Sequence, residues 1–245
     1  MIDPWLWLGF AILLAFTIET ITGFGSIVIA LALGALMLPI PQLLPVLVPL
    51  SVIMSGYLTW QNRHHIDWHR LSRLILPLML TGTITGYLLM PWLGDSGLEI
   101  LLGCLIVWFA AKELRRMFGG HDARPHGIKT SRGIIFIAGV TQGLFASGGP
   151  LLVYALAGIR LDKSRIRATL VTVWLTLNVT LTVLFLLDGR LIANADKIAW
   201  YLPMLVIGVM VGDFLHHRLD EELFRRAVYG VLLVTGILLV LRAIL

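Results

Sequence analysis

The sequence has 245 residues, of which 58% are hydrophobic and only 13% charged, and its mean hydropathy is +0.90. Soluble domains lie nearer half apolar and a quarter charged, so a soluble enzyme is excluded and lipid is the solvent for most of the chain. The net charge of +5 reads as basic cytoplasmic loops and not as a nucleic-acid surface, and the single cysteine, Cys104, rules out internal disulfides and thiolate metal or redox centres.

Apolar segments follow one another at 4–21, 24–39, 43–61, 74–92, 97–114, 133–146, 149–159, 168–187, 197–215 and 224–245. The first residues, "MIDPWLWLGF", have no basic n-region and no small-residue cleavage site, so they are expected to stay as a membrane segment. A crossing helix needs about 20 residues. The segments 133–146 and 149–159, separated by "ASGGP", reach about 15–21 Å each at 1.5 Å per residue and are expected to form a re-entrant helical hairpin. Broken backbone at that depth is tolerated only inside protein or against a wet cavity.

Loop charges lead to the same expectation. "RHHIDWHR" (63–70), residues 112–132, "RLDKSRIR" (160–167) and "HHRLDEELFRR" (216–226) hold nearly all the Lys and Arg. Two crossings, 74–92 and 97–114, separate the first basic loop from the second. The third joins their side only if 133–159 enters and leaves on one face, as the positive-inside rule requires. The N-terminus is then periplasmic, and 4–39 is a second hairpin that either crosses fully or re-enters.

Residues 80–115 resemble 206–242, with Gly82 and Gly86 falling on Gly208 and Gly212 and Pro77 on Pro203. "ETITGFGS" (19–26) takes the place of "GVTQGLFAS" (139–147), with Gly23 opposite Gly143. Each half is a hairpin plus three crossings, an odd number, so the halves are expected in opposite orientations. The fold expected is an all-α integral membrane protein of two inverted-topology repeats, 1–116 and 132–245, joined by a cytoplasmic linker, 117–131, in one membrane domain. Inverted repeats with interrupted helices are the architecture of secondary transporters.

The chemistry is expected at the two tips. Glycines beside helix N-termini expose unpaired N–H groups and partial positive charge, which suits an oxyanion. The substrate-binding candidates are Thr22, Gly23, Phe24, Gly25 and Ser26 at the first tip, and Gln142, Gly143, Ser147, Gly148 and Gly149 at the second. Thr141 is a further donor beside the second tip, and Asn178, midway along 168–187, either faces the site or makes an interhelical hydrogen bond. Glu19 is the one carboxylate deep in an apolar segment. Such a group marks function by default, and it suits either proton coupling or a cap on the hairpin turn. Gly82/Gly86 and Gly208/Gly212 are assigned to close helix packing. Arg160, Arg165 and Arg167 either funnel anions or only set topology, Asp213 is placed at the interface, and Trp5, Trp7, Trp60, Trp68 and Trp92 suit an aromatic belt.

Catalysis is not expected. Every histidine falls in a loop or at a helix end, so an intramembrane hydrolase built on Ser147 would lack a buried base. There is no Walker motif and no His or Cys cluster for a metal, and no cofactor is expected. With "ETITGFGSIVIALALGALMLP", "RHHIDWHRL" and "GLFASGGPLLVYALAGIRLDKSRIRATLV", the chain resembles the TauE/SafE family of bacterial inner-membrane permeases over nearly its whole length. Many members carry GxGGG at both tips; here the first reads Gly23-Phe24-Gly25-Ser26, similar to the branch with Glu-x-x-Thr-Gly-Phe-Gly. The resemblance implies a transporter, usually an exporter, of sulfite, sulfoacetate or other organosulfonates. The residues themselves support alternating access with protons as a possible partner, or a passive anion channel filtered by the tips. They leave direction, coupling and oligomeric state open.

Overall fold

The computed structural model describes residues 3–22, 25–118, 128–156, 163–216 and 221–244. Among them the regular structure is entirely helical: α1 (Pro4–Thr22), α2 (Ser26–Gly34), α3 (Ile40–Asn62), a single turn α4 (Trp68–Arg70) leading through the π-helical Leu71–Ile75 into α5 (Leu76–Met117), α6 (Ile128–Phe145), α7 (Gly149–Ala155), α8 (Lys163–Leu187), α9 (Ala195–His216) and α10 (Glu221–Ile244). Among the described residues six helices, α1, α3, α5, α8, α9 and α10, are long and apolar enough to cross a bilayer. The protein is a multi-pass membrane protein.

Three elements differ in length from the sequence reading. The expected helices 74–92 and 97–114 are present as the two parts of α5, 42 residues in all, on either side of a kink. Gly94 breaks it with φ 64° and ψ 173°, a backbone conformation L side chains rarely adopt. The arm expected at 133–146 begins at Ile128, because Lys129, Thr130, Ser131 and Arg132 continue the helix without being apolar. At 18 residues, α6 runs about 27 Å and is no short arm. Its partner α7 has seven residues and α2 has nine, about 10 and 14 Å. Of the two longer arms, α1 is among the helices able to cross and α6 is not.

The chain forms two compact units. One comprises Met1–Leu47, Leu93–Asp122 and Ala193–Leu245. Here α1 and α2 run antiparallel, and Trp7 Nε1 donates to the Leu33 carbonyl at 2.8 Å. α9 lies along α1 through Gly208 and Gly212, and Thr17 Oγ1 donates to the Gly208 carbonyl at 3.1 Å. The outer part of that seam holds Tyr201 OH, which donates to the Trp5 carbonyl at 2.8 Å, and Lys197, whose ammonium sits 3.8 Å from the Trp5 ring centroid. Gly103 of α5 meets Gly236 of α10 so closely that a β-carbon on either would lie 2.8–3.0 Å from the other's carbonyl oxygen.

Arg242, one of the few basic residues outside the basic loops, has a defined task in this unit. Its Nη1 donates to the carbonyls of Ala35, at 3.1 Å, and Leu36, at 2.5 Å, just past the end of α2. A cation there satisfies carbonyls that have no helical partner and complements the helix dipole. Arg242→Gln is expected to cost about 1–2 kcal/mol, seen as a fall of about 2–6 °C in the thermal midpoint of the detergent-solubilised protein. Arg242→Lys should recover part of it, and a midpoint unchanged in both variants would contradict the capping role.

The other unit comprises Val48–Trp92 and Ala123–Ile192. Its apolar core joins Met79 of α5, Ala138 of α6, Leu152 of α7, and Val173 and Leu177 of α8. The Asp67 N–H donates to Thr169 Oγ1 at 3.1 Å, which pins the α3–α4 turn to α8. At the far end of α8, Asp188 accepts from Tyr87 OH at 2.5 Å and pairs with Arg190 Nε at 3.1 Å. Gly82 and Gly86 of α5 abut α6, their added β-carbons falling on the carbonyl oxygens of Phe136 and Val140.

Candidate functional site

The break between α6 and α7 is organised by one side chain. Phe145 ends α6, and Ala146 takes a left-handed conformation, φ 50°, usually left to glycine at a helix C-terminus. Its N–H donates to the Gln142 main-chain carbonyl at 2.7 Å. The Gln142 side chain then reaches past the break, and Oε1 accepts the Gly148 N–H at 2.8 Å. Its Nε2 donates to Asn178 Oδ1 at 2.8 Å, and Asn178 Nδ2 donates to Ser51 Oγ at 2.7 Å. Ser51, Gln142, Ser147 and Asn178 are 4%, 1%, 3% and 2% exposed. α3, α6, α7 and α8 thus share one buried polar chain, each amide using both donor and acceptor.

This changes which groups are available to a ligand. The Gly148 N–H is already bonded, and Gly149 packs on the Trp174 indole, an added β-carbon lying 3.2 Å from its nearest ring atom. Gly143 faces α5: a β-carbon there would fall on the Thr83 carbonyl oxygen and 2.7 Å from the Tyr87 nitrogen. Two hydroxyls remain. Ser147 Oγ and Thr83 Oγ1 are both buried with no hydrogen-bond partner, a costly state for polar groups unless something else bonds them. The unassigned hydrogen-bonding capacity at this tip lies in side chains.

At the tip between α1 and α2, Gly25 precedes α2 with φ 102°, and Ser26 and Glu19 are both buried. The Glu19 carboxyl oxygen Oε2 is buried without a partner. Thr22 Oγ1 donates back to the Ile18 carbonyl at 2.8 Å. Gly23 and Phe24 lie outside the described residues. So do Arg160, His121, His126 and His217, and the side chain of Arg167 is not described; Arg165 is exposed.

Thr141 turns onto its own helix, bonding the Ala138 carbonyl at 2.9 Å. Asp213 is exposed on α9, and Trp60, Trp68 and Trp92 are exposed. Among the described residues no histidine bonds Ser147, so nothing there activates its hydroxyl, and none form a metal-ligand cluster. Ser51 and Thr83 were not singled out from the sequence. A serine in "VPLSVIMSG" and a threonine in "TGTITG" look like ordinary small polar residues of membrane helices.

The family profile described as "Sulfite exporter TauE/SafE" matches residues 8–239. The chain belongs to the TauE/SafE family. Members of that family are membrane transporters and not enzymes. The "Probable sulfite/organosulfonate exporter TauE" of Cupriavidus necator is 25% identical over 240 residues, covering 92% of this chain and 90% of the relative. The "Probable inner membrane transporter protein TsaS" of Comamonas testosteroni is 28% identical over 193 residues, covering 78% and 77%. No solved structure matches the chain.

Proposed function

We propose that this TauE/SafE transporter moves small sulfur oxyanions (sulfite, sulfoacetate or other organosulfonates) across the inner membrane by alternating access, in the export direction. The observation that carries the site is the neutral, buried chain Gln142–Asn178–Ser51 beside the unbonded Ser147 hydroxyl; the substrate class rests on the names of the two relatives. In this reading the Ser147 hydroxyl meets the anion, and Gln142, Gly143, Gly148, Gly149 and Asn178 hold the second tip in shape around it. Thr22, Gly23, Phe24, Gly25 and Ser26 supply the first tip's share, and Glu19 couples a proton. Residues 1–116 and 132–245 are the two inverted repeats.

Among the described residues the binding set holds no cation, which has a consequence for selectivity. Amides and hydroxyls stabilise an anion only in part, and the cost of removing an ion from water climbs steeply with its charge. The carried species is therefore singly charged: hydrogensulfite or a sulfonate, and not the sulfite or sulfate dianion. In proteoliposomes, methanesulfonate in excess is expected to compete with labelled sulfite, while equal sulfate does not. Sulfite flux should fall as the pH of the loading side rises through neutrality, where hydrogensulfite loses its proton. Accumulation against the anion's own gradient marks a coupled transporter; flux that only dissipates that gradient, blind to an imposed pH difference, marks a channel and overturns the mechanism.

A further inference from the structure

The segment "TGTITG" (81–86) of α5 carries a threonine at every second position. Thr81 and Thr85 close their hydroxyls on their own helix, donating to the Pro77 carbonyl at 2.9 Å and to the Thr81 carbonyl at 2.8 Å. Such a back-bond lies within reach of a threonine in any helix interior. Thr83, between them, does not make it. Its side chain faces inward at 0% exposure, and Oγ1 has no hydrogen-bond partner. Of the buried threonines among the described residues, Thr17, Thr169, Thr172 and Thr235 all have a hydrogen bond; Thr83 has none. Its usual acceptor would be the Met79 carbonyl, which lies where α6 approaches α5: a β-carbon on Gly139 would sit 2.5 Å from that oxygen. An open buried hydroxyl is costly, and a valine would fill nearly the same space without one. Packing alone does not call for a hydroxyl here.

Thr83 stands beside the last turn of α6. A β-carbon on Gly143 would fall on the Thr83 carbonyl oxygen and 2.7 Å from the Tyr87 nitrogen. α6 ends two residues later at Phe145, and Ser147 follows the break, 3% exposed and with Oγ unbonded. One open hydroxyl therefore stands on α5 next to the end of α6 and another just beyond that end, inside one compact unit. The nearby amides are engaged elsewhere, Gln142 with the Gly148 N–H and Asn178, and Asn178 with Ser51. Backbone contacts at Gly82 and Gly86 fix α5 on α6, so Thr83 keeps its place relative to the break.

We infer that Thr83 is a second anion-binding residue: its hydroxyl and that of Ser147 donate to two oxygens of the same bound sulfonate or hydrogensulfite, one from α5 and one from the break after α6. This deepens the transport reading and rests on it. Each hydroxyl supplies one donor and no charge, and several oxygens around one sulfur can take donors from two directions at once.

The test compares Thr83→Val, Thr83→Ala, Thr83→Ser, Ser147→Ala and the double variant Thr83→Val/Ser147→Ala, by flux in proteoliposomes and by thermal unfolding in detergent. Thr83→Val is expected to raise the half-saturating concentrations of sulfite and methanesulfonate about tenfold, as the loss of one hydrogen bond to an anion does. Its thermal midpoint without anion should stay level or rise, because the open hydroxyl has gone. Thr83→Ala removes the same donor without adding a methyl group and should raise the half-saturation alike, while Thr83→Ser keeps the donor and should stay close to the native values. In the double variant the two losses should not simply multiply, since both hydroxyls hold one anion. A Thr83→Val protein that melts lower and keeps its half-saturation has lost a buried water or a packing contact, which overturns the inference. Unchanged half-saturation in Thr83→Val beside a raised value in Ser147→Ala also overturns it and leaves the transport reading standing. If the native protein neither carries nor is stabilised by sulfite or methanesulfonate, the substrate reading falls and takes the inference with it.

Discussion

Gln142→Leu is expected to abolish anion transport and to destabilise the protein by about 2–5 kcal/mol. Leucine is similarly bulky, though it branches one carbon earlier, and it removes both hydrogen-bonding atoms. The Gly148 N–H and Asn178 Oδ1 are then left buried without partners, and each stranded group costs about 1–3 kcal/mol. Ala146 is strained at φ 50° and loses the side chain that ties the two sides of its turn together, so the break itself should loosen. A graded series checks the account. Asn178→Leu strands the Gln142 amide and the Ser51 hydroxyl and should fall close behind. Ser51→Ala removes one acceptor at the end of the chain and should cost about 1 kcal/mol. Ser147→Ala removes a hydroxyl that bonds nothing in the protein, so it should leave the thermal midpoint in place while raising the half-saturating sulfonate concentration. The opposite order, with Ser147→Ala destabilising and Gln142→Leu silent, would mean that the polar chain neither braces the hairpin nor borders the site.

Legibility in the sequence followed the physics of each feature. Hydropathy reports partition into lipid, so the long spans α1, α3, α9 and α10, and the C-terminal end of α8, emerged within a few residues of their ends. It is blind to a helix that continues through polar residues, which is why the first turn of α6, with Lys129 and Arg132, went unseen. The helix-breaking tips were legible because Gly and Pro act through backbone geometry at the residue itself. Whether a tip glycine meets a ligand or another helix depends on what lies opposite, and no local pattern carries that. Gly143 reads like Gly148 in the sequence, yet one packs on α5 and the other hands its N–H to Gln142. Asn178 stood out because a lone amide in an apolar helix demands a partner; Ser51, the partner it found, did not, because a serine hydroxyl can satisfy itself on its own helix.

Gly86→Ala and Gly230→Ala are expected to have opposite signs, although both put one methyl group into the interior of an apolar helix. At Gly86 the new β-carbon would sit on the Val140 carbonyl oxygen, 3.0 Å from the Val140 carbonyl carbon and 3.1 Å from the Gly143 Cα. Those atoms are backbone, so no rotamer change relieves the clash, and α5 and α6 must move apart along a seam that also contains Gly82, Gly139 and Gly143. Overpacking costs about 1–3 kcal/mol where side chains can give way and more where they cannot, so a loss of about 3 kcal/mol or above is expected, with little folded protein recovered. Prying α6 from α5 also displaces Gln142 from Asn178, so transport should fail in whatever fraction folds. At Gly230 a β-carbon meets nothing within 4 Å. There the helix gains the propensity difference between alanine and glycine, up to about 1 kcal/mol, and the thermal midpoint should stay level or rise. Gly212→Ala repeats the experiment in the other unit, where the added carbon would lie 2.6 Å from Thr20 Cβ and 2.7 Å from the Thr17 carbonyl oxygen; neither atom moves with a rotamer, so its cost should approach that of Gly86→Ala. If all three variants melt together, helix propensity governs these positions and the close seams are not what holds the hairpin arms.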